Sequence, residues 1–216
     1  PPRAAEAPLL LRQLSVSGFG PLRRLSADLS PLTLLVGGPG AGKSALFEAL
    51  LLLGEVLRGD LPYALARRGV RLADLLHWGP PAAEAIGLGL EFSVGARALR
   101  YEVHLGALAD GTPAVLREHL HESGPSGRRA LLSRGGPDGS AVLHGEADPR
   151  YRTTIDPGAA RLALSFVPRP GDDGGAGFTA ANALRALLTE GLRRVLLAPD
   201  ALRRACSPLQ KEPLAS

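Results

Sequence analysis

The chain of 216 residues contains no methionine, one cysteine and one tryptophan, and aromatic residues make up only 4% of it. Because Cys206 has no second cysteine to pair with, an internal disulfide framework is excluded, and we expect an inert thiol and a cytoplasmic setting. No run of 18 uncharged apolar residues occurs, which argues against a membrane-spanning helix.

Lysine is equally scarce. Of the 25 lysine and arginine residues only Lys43 and Lys211 are lysines, and the net charge is +4. This charge permits contact with DNA without requiring it. The pairs Arg193–Arg194 and Arg203–Arg204 lack interleaved aromatic residues, so we interpret them as solvated helix faces rather than a nucleic-acid patch. A nearly unique lysine makes its own position informative.

Lys43 lies in a phosphate-binding motif. The pattern G-x-x-x-x-G-K-[ST] is satisfied by eight consecutive residues: Gly37, Gly38, Pro39, Gly40, Ala41, Gly42, Lys43 and Ser44. An apolar run at 32–36 predicts a buried strand before the motif, and helix formers at 44–58 predict a helix after it. A glycine-rich turn without ligand is the alternative interpretation.

The chemistry expected of this motif is nucleotide binding. Its glycines let backbone N–H groups face phosphates, and the positive end of the following helix adds to the attraction. We expect Lys43 to reach the β- and γ-phosphates of ATP and the Ser44 hydroxyl to ligate Mg²⁺.

The remaining periodicity predicts an α/β fold in which the P-loop helix packs on a mixed sheet. The predicted strands are 9–17, 22–29, 86–94, 99–105, 114–122, 129–133, 140–144, 162–167 and 195–199, and the predicted helices 63–68, 70–77 and 180–194. We divide the chain into a disordered leader (1–8), a P-loop nucleotide-binding core (9–84), an antiparallel β-lobe (85–145) and a segment that completes the lobe (146–216).

As a set, the segments 14–22, 32–53 and 58–79, with Ser207-Pro208-Leu209, resemble the N-terminal half of a bacterial AAA-type ATPase of the SMC/RecF-like, ABC-type kind. The similarity is to the "predicted ATPase" group related to OLD-family ATPases. It implies the N-terminal part of an ABC/SMC-type head that hydrolyses ATP with Mg²⁺, pairs head-to-head, and acts in DNA repair or phage defence.

The resemblance also implies an incomplete ATPase. We expect a truncated chain whose signature motif and Walker B strand come from a second copy or a complementary half. It further implies that Phe19, or Arg23 and Arg24, border the nucleotide base.

Two departures from that family concern the nucleotide site. Pro39 stands where the family has asparagine, and no glutamine lies between the motif and the 86–122 strands, where the family has its Q-loop. His77 lies near the corresponding place, either as a substitute or as a plain surface residue.

Two further segments imitate ATPase motifs. The run 132–136 (LSRGG) fits the ABC signature, but Pro-Asp-Gly follows it and its flanks predict a hairpin. The run 195–200 resembles a Walker B strand, but Ala198-Pro199 interrupt it and no glutamate follows Asp200, which suits a helix N-cap better. We therefore assign no catalytic residue.

Metal-binding patterns are weak outside the motif. His119 and His121, flanked by Glu118 and Glu122, share one strand face, but two nitrogens without a third ligand favour a solvent-facing strand. Asp172-Asp173 lie in a glycine-rich loop and we expect them to be hydrated. Ser44 is the metal ligand that we predict.

The sequence therefore predicts ATP binding, with hydrolysis in the complete protein. A non-hydrolysing, nucleotide-gated binding module or adaptor is the alternative, and the missing glutamate favours it. A small-molecule phosphotransferase is a third class, and three strands before the P-loop argue against it.

Overall fold

A computed structural model describes residues 8–124, 127–136, 139–172 and 177–192. Its strands are β1 (Leu9–Phe19), β2 (Leu22–Asp28), β3 (Ala85–Val94), β4 (Arg97–Ala107), β5 (Pro113–Gly124), β6 (Gly127–Arg134), β7 (Ala141–His144) and β8 (Arg152–Ile155). Its helices are α1 (Lys43–Arg58), α2 (Leu61–Arg68), α3 (Leu72–Leu75) and α4 (Thr179–Ala186).

The eight strands form one sheet in the order β2-β1-β3-β4-β5-β6-β7-β8, and every neighbouring pair is antiparallel. The prediction of a mixed sheet is therefore wrong for the described residues, although the α/β class holds. Short connections join β3 through β8 in sequence, and such connections give antiparallel pairs, whereas parallel neighbours need long crossovers.

One face of the sheet packs on the helices. Leu14 and Val16 of β1 are 2% and 1% exposed, and they alternate with Ser15 and Ser17 on the opposite face. The core is completed by α1, which buries its apolar side: Leu46, Ala49, Leu50, Leu52, Leu53, Val56 and Leu57. This packing fixes the start of α1, where the P-loop ends, against the sheet.

Strong periodicity gave correct predictions. The strands expected at 9–17, 22–29, 86–94, 99–105 and 114–122 are confirmed as β1 to β5, and the hairpin at 129–144 as β6 and β7. The helix after the P-loop and the helix at 63–68 are confirmed as α1 and α2.

The prediction of a strand immediately before the P-loop is wrong. Residues 32–36 form no strand, and Leu32, Leu34 and Val36 are 90%, 84% and 85% exposed. The chain leaves the sheet at Ser30, whose backbone N–H donates to Thr33 Oγ1 (3.0 Å) and whose hydroxyl donates to the Leu32 carbonyl (2.6 Å). An apolar run becomes a buried strand only where neighbouring strands pair with it, and none of the described strands does so.

The predictions for residues 70–77, 145–160 and 162–167 were also wrong. Residues 162–167 contain a 3₁₀ turn at Ala163–Phe166 instead of a strand, and β8 lies within residues 145–160, where no strand was predicted. The helix expected at 180–194 is confirmed over the described residues as α4, which continues after Ala186 as a π turn, Leu187–Gly191. Of the helix expected at 70–77 only α3 forms.

Several predicted features lie outside the described residues: the leader at 1–7, Asp173, and everything from 193 onward, including both arginine pairs, Asp200 and Cys206. The proposed domain boundaries remain predictions.

Candidate nucleotide site

The P-loop leads from the extended segment 32–36 into α1. Residues 37–41 are exposed, and two glycines have left-handed backbone conformations, Gly40 at φ 76° and Gly42 at φ 88°. Residues that carry a side chain rarely adopt this backbone conformation, so the shape of the loop requires glycine at these two positions. A Cβ on Gly38 or Gly40 would meet nothing within 4 Å, so the mouth of the loop is open.

Gly42 forms the N-cap of α1, and no side chain caps the helix. The first turn of α1 also contains no acidic residue. The backbone N–H groups of this first turn and the positive end of the helix dipole are therefore available to an anion.

Lys43 reaches back across the loop. Its ammonium donates to the carbonyls of Gly37 (2.5 Å) and Gly38 (2.7 Å), and the Ala41 N–H donates to the Gly38 carbonyl (3.3 Å). The loop is thus curled around a positive charge. Ser44, the next residue of α1, is exposed.

The turn between β1 and β2 packs against the P-loop. A Cβ on Gly42 would come within 2.4 Å of Leu22 Cδ2 and 3.8 Å of Pro21 Cγ. Sequence reasoning missed this contact, because the P-loop pattern extends only from residue 37 to residue 44.

The loop after α3 holds the other side of that turn. The Gly20 N–H donates to the Leu75 carbonyl (2.8 Å), and the His77 N–H donates to the Gly18 carbonyl (2.9 Å). His77 Nδ1 lies 2.8 Å from the Gly20 carbonyl. Because a carbonyl only accepts, Nδ1 carries the proton, and His77 has a positioning role in this turn.

The three residues expected to border the nucleotide base have different environments. Phe19 is 5% exposed and belongs to the core, so it offers no free ring to a base, whereas Arg23 and Arg24 are exposed on β2. Trp78 is 74% exposed beside Gly20, and no sequence motif identified it as a site residue. Its status as the single tryptophan was the available signal.

The signature-like run is part of the hairpin, as its flanks predicted. Leu132 and Ser133 pair with Leu143 and Val142 across β6 and β7. Arg134 is fully buried and donates to the carbonyls of Arg161 (2.7 Å) and Gly158 (2.8 Å). This arginine therefore has a structural role.

The two histidines of β5 share one face of the sheet, as expected, but both are half-buried rather than solvent-facing. Their ring centroids are 5.5 Å apart, and the ring planes are stacked at an angle of 27°. Burial lowers the pKa of His119, and the nearby His121 and Arg117 lower it further. Within the described ranges, no cluster of three or more histidine, cysteine or acidic side chains is arranged to hold a metal.

The glutamates beside these histidines are used structurally. Glu118 is fully buried and accepts hydrogen bonds from Tyr101 Oη (2.8 Å) and from the N–H groups of Ala163 (2.6 Å) and Leu164 (2.9 Å). Glu122 pairs with Arg97 (2.6 Å). Neither carboxylate is available to a metal ion.

Two similarities to known proteins agree with this geometry. A family described as "Protein of unknown function (DUF2813)" matches residues 9–58, which comprise β1, β2, the P-loop and α1. The aliphatic sulfonates import ATP-binding protein SsuB 2 of Pseudomonas syringae pv. syringae (strain B728a) is 32% identical over 142 residues, which are 62% of this chain and 49% of that protein. The chain spans about half the length of this curated relative.

The family match includes the P-loop motif, and the relative is, by its name, an ATP-binding protein. Among the helices of the described residues, none is long and apolar enough to cross a membrane.

Proposed function

We propose that the chain binds Mg-ATP at residues 37–44 as the nucleotide-binding part of a P-loop ATPase. The observation that carries this proposal is the Lys43 ammonium, held 2.5 and 2.7 Å from the Gly37 and Gly38 carbonyls at an uncapped helix N-terminus without acidic residues in its first turn. The ammonium, together with the free N–H groups and the positive dipole end of this helix N-terminus, suits a polyphosphate.

The residues present fit that ligand. The backbone of Gly38, Pro39, Gly40, Ala41 and Gly42 would surround the phosphates, where Pro39 contributes shape but no N–H donor. Lys43 would hold the β- and γ-phosphates and the exposed Ser44 hydroxyl would ligate Mg²⁺. When bound, Mg²⁺ supplies charge neutralisation of the phosphates.

Hydrolysis would belong to the complete protein. Phosphoryl transfer to water needs a positioned base and a second acidic group for the metal. The exposed apolar run Leu32, Leu34 and Val36 supports this interpretation, because an unpaired extended segment next to the P-loop is suited to pairing with further strands. We infer that a second copy or a complementary half supplies these strands together with a Walker B acid and a signature motif.

The assignment to a particular group of ATPases rests on the resemblance of the sequence to that group. We place the chain with the SMC/RecF-like ATPases, in the cytoplasm, with DNA repair or phage defence as its setting and DNA as a partner to be tested. The domains proposed are the core at 9–84, the β-lobe at 85–145 and its completion at 146–216.

The test is a calorimetric titration of Mg-ATP into the wild type, Lys43→Ala and Lys211→Ala. The two variants lose the same charge, and Lys211 is remote in sequence from the motif. We expect saturable binding that Lys43→Ala weakens at least tenfold and Lys211→Ala leaves unchanged. Equal binding by all three proteins would contradict the proposed site.

Turnover is measured in parallel as phosphate release. Binding without release, also after addition of the complementary part, would favour the nucleotide-gated binding module or adaptor over the ATPase.

A further inference from the structure

Trp78 exposes a large aromatic ring that the fold does not use. It is the single tryptophan of the chain and 74% of it is exposed, in a protein in which only 4% of residues are aromatic. Exposing an indole is unfavourable relative to burying it, so its position calls for a physical explanation.

The backbone before Trp78 is held in place rather than free. Backbone hydrogen bonds join Gly20 to Leu75 and Gly18 to His77, and the His77 ring donates to the Gly20 carbonyl. An isolated β-bridge also joins Phe19 to Leu76. The indole therefore projects from an anchored backbone.

This anchor lies next to the P-loop. A Cβ on Gly20 would be 3.9 Å from Trp78 Cζ2, while Pro21 and Leu22 are the residues that contact Gly42. Consecutive Cα atoms are about 3.8 Å apart, so at most about 8 Å of chain separates the residue beside the indole from those beside the P-loop. The indole and the P-loop therefore contact the same short turn between β1 and β2.

We propose that Trp78 is the stacking platform for the nucleotide base, an inference that rests on the proposed nucleotide site at residues 37–44. An aromatic face stacks on any base without reading its hydrogen-bonding edge. Trp78 therefore contributes affinity for a purine nucleoside triphosphate while discriminating little between adenine and guanine.

Because Trp78 is the single tryptophan, its intrinsic fluorescence reports on its own contact. This fluorescence is followed in wild type and Tyr63→Leu during titration with Mg-ATP, Mg-GTP and Mg-tripolyphosphate, which has no base. Trp78→Leu and Trp78→Phe contain no tryptophan, so the affinities of all four proteins for the three ligands are measured by calorimetric titration. Tyr63 is an exposed aromatic residue on α2, 50% exposed, and serves as the matched control. Circular dichroism verifies that each variant is folded.

We expect both nucleotides to quench the wild-type fluorescence and tripolyphosphate to leave it unchanged. Trp78→Leu should lose on the order of tenfold in affinity for ATP but none for tripolyphosphate. Trp78→Phe should retain most of the affinity, and Tyr63→Leu all of it.

Lys43-dependent ATP binding with equal affinity in wild type and Trp78→Leu would overturn this inference and leave the phosphate site standing. An absence of binding by both ATP and tripolyphosphate in the folded wild type would overturn the phosphate site and this inference with it.

Discussion

Leu22 occupies the space next to Gly42 so closely that a Cβ on this glycine would lie 2.4 Å from Leu22 Cδ2. Leu22 is 7% exposed and begins β2, while Gly42 ends the P-loop. Leu22 therefore packs the sheet against the phosphate-binding loop. Both this contact and the left-handed backbone conformation at position 42 therefore require glycine.

We predict that Gly42→Ala both destabilises the protein and abolishes nucleotide binding. The left-handed conformation at φ 88° costs about 1–2 kcal/mol for alanine, and the contact with Leu22 adds to it. Urea unfolding and ATP titration measure the two effects.

The matched control is Gly38→Ala, where a Cβ would meet nothing within 4 Å and φ is not positive. Its free energy of unfolding should stay within about 0.5 kcal/mol of wild type. The double variant Gly42→Ala with Leu22→Ala should remain impaired, because the backbone strain persists. Wild-type stability of Gly42→Ala would refute the importance of this contact.

Removal of the Glu118 carboxylate should strongly destabilise the fold. Glu118 and Arg134 are opposite each other on β5 and β6, and both are fully buried. Glu118→Ala leaves the N–H groups of Ala163 and Leu164 without their acceptor, so we expect a loss of about 3–5 kcal/mol in the free energy of unfolding.

Glu118→Gln keeps one acceptor oxygen and should cost less than Glu118→Ala. The control is Glu91→Ala, which removes a half-exposed partner of Arg100 and should cost less than about 1 kcal/mol. Equal effects of Glu118→Ala and Glu91→Ala in urea unfolding would show that the buried carboxylate is not needed.

These buried contacts also explain how far the sequence alone could predict the structure. The alternation in β1 to β5 and the helix formers of α1 encode their structure locally, so both were predictable. The apolar run 32–36 resembles a buried strand, but burial depends on neighbouring strands rather than on the run itself. The 3₁₀ turn at Ala163–Phe166 depends on Glu118, which is 45 residues away in sequence.

The same distinction applies to the candidate site. Residues 37–44 were predictable because the motif is contiguous. The positions of Leu22 and Trp78 beside the site were not predictable, because they depend on hydrogen bonds that join Gly18 and Gly20 to the loop at 75–77. Local patterns identified the loop, and long-range contacts determine its surroundings.

Acidification should destabilise the protein through His104 and His119. Burial lowers the pKa of both imidazoles below the ordinary 6.5, with Arg117 lowering both further. Glu102 opposes this shift for both rings, while His121 adds to it for His119. The unfolded chain therefore binds more protons than the folded one, and stability is lost as the pH falls through 6.5 towards the lower folded pKa values.

Urea unfolding at pH 7.5 and pH 5.5 checks this dependence. The double variant His104→Gln with His119→Gln should lose less stability between these pH values than the wild type does. An identical loss in both proteins would exclude these two histidines as the cause.

The apolar run before the P-loop should tolerate charge at alternate positions only. Leu34 is 84% exposed, whereas Leu35 is partly buried against the core. We expect Leu34→Asp to change the free energy of unfolding by less than about 0.5 kcal/mol, and Leu35→Asp to cost about 1–3 kcal/mol because it places a charge beside apolar side chains. Urea unfolding of the two variants compares them directly. An equal loss of stability in both variants would show that Leu34 is buried within the chain itself. If the complementary part of the ATPase pairs with this segment, Leu34→Asp should also weaken the binding of that part to the chain.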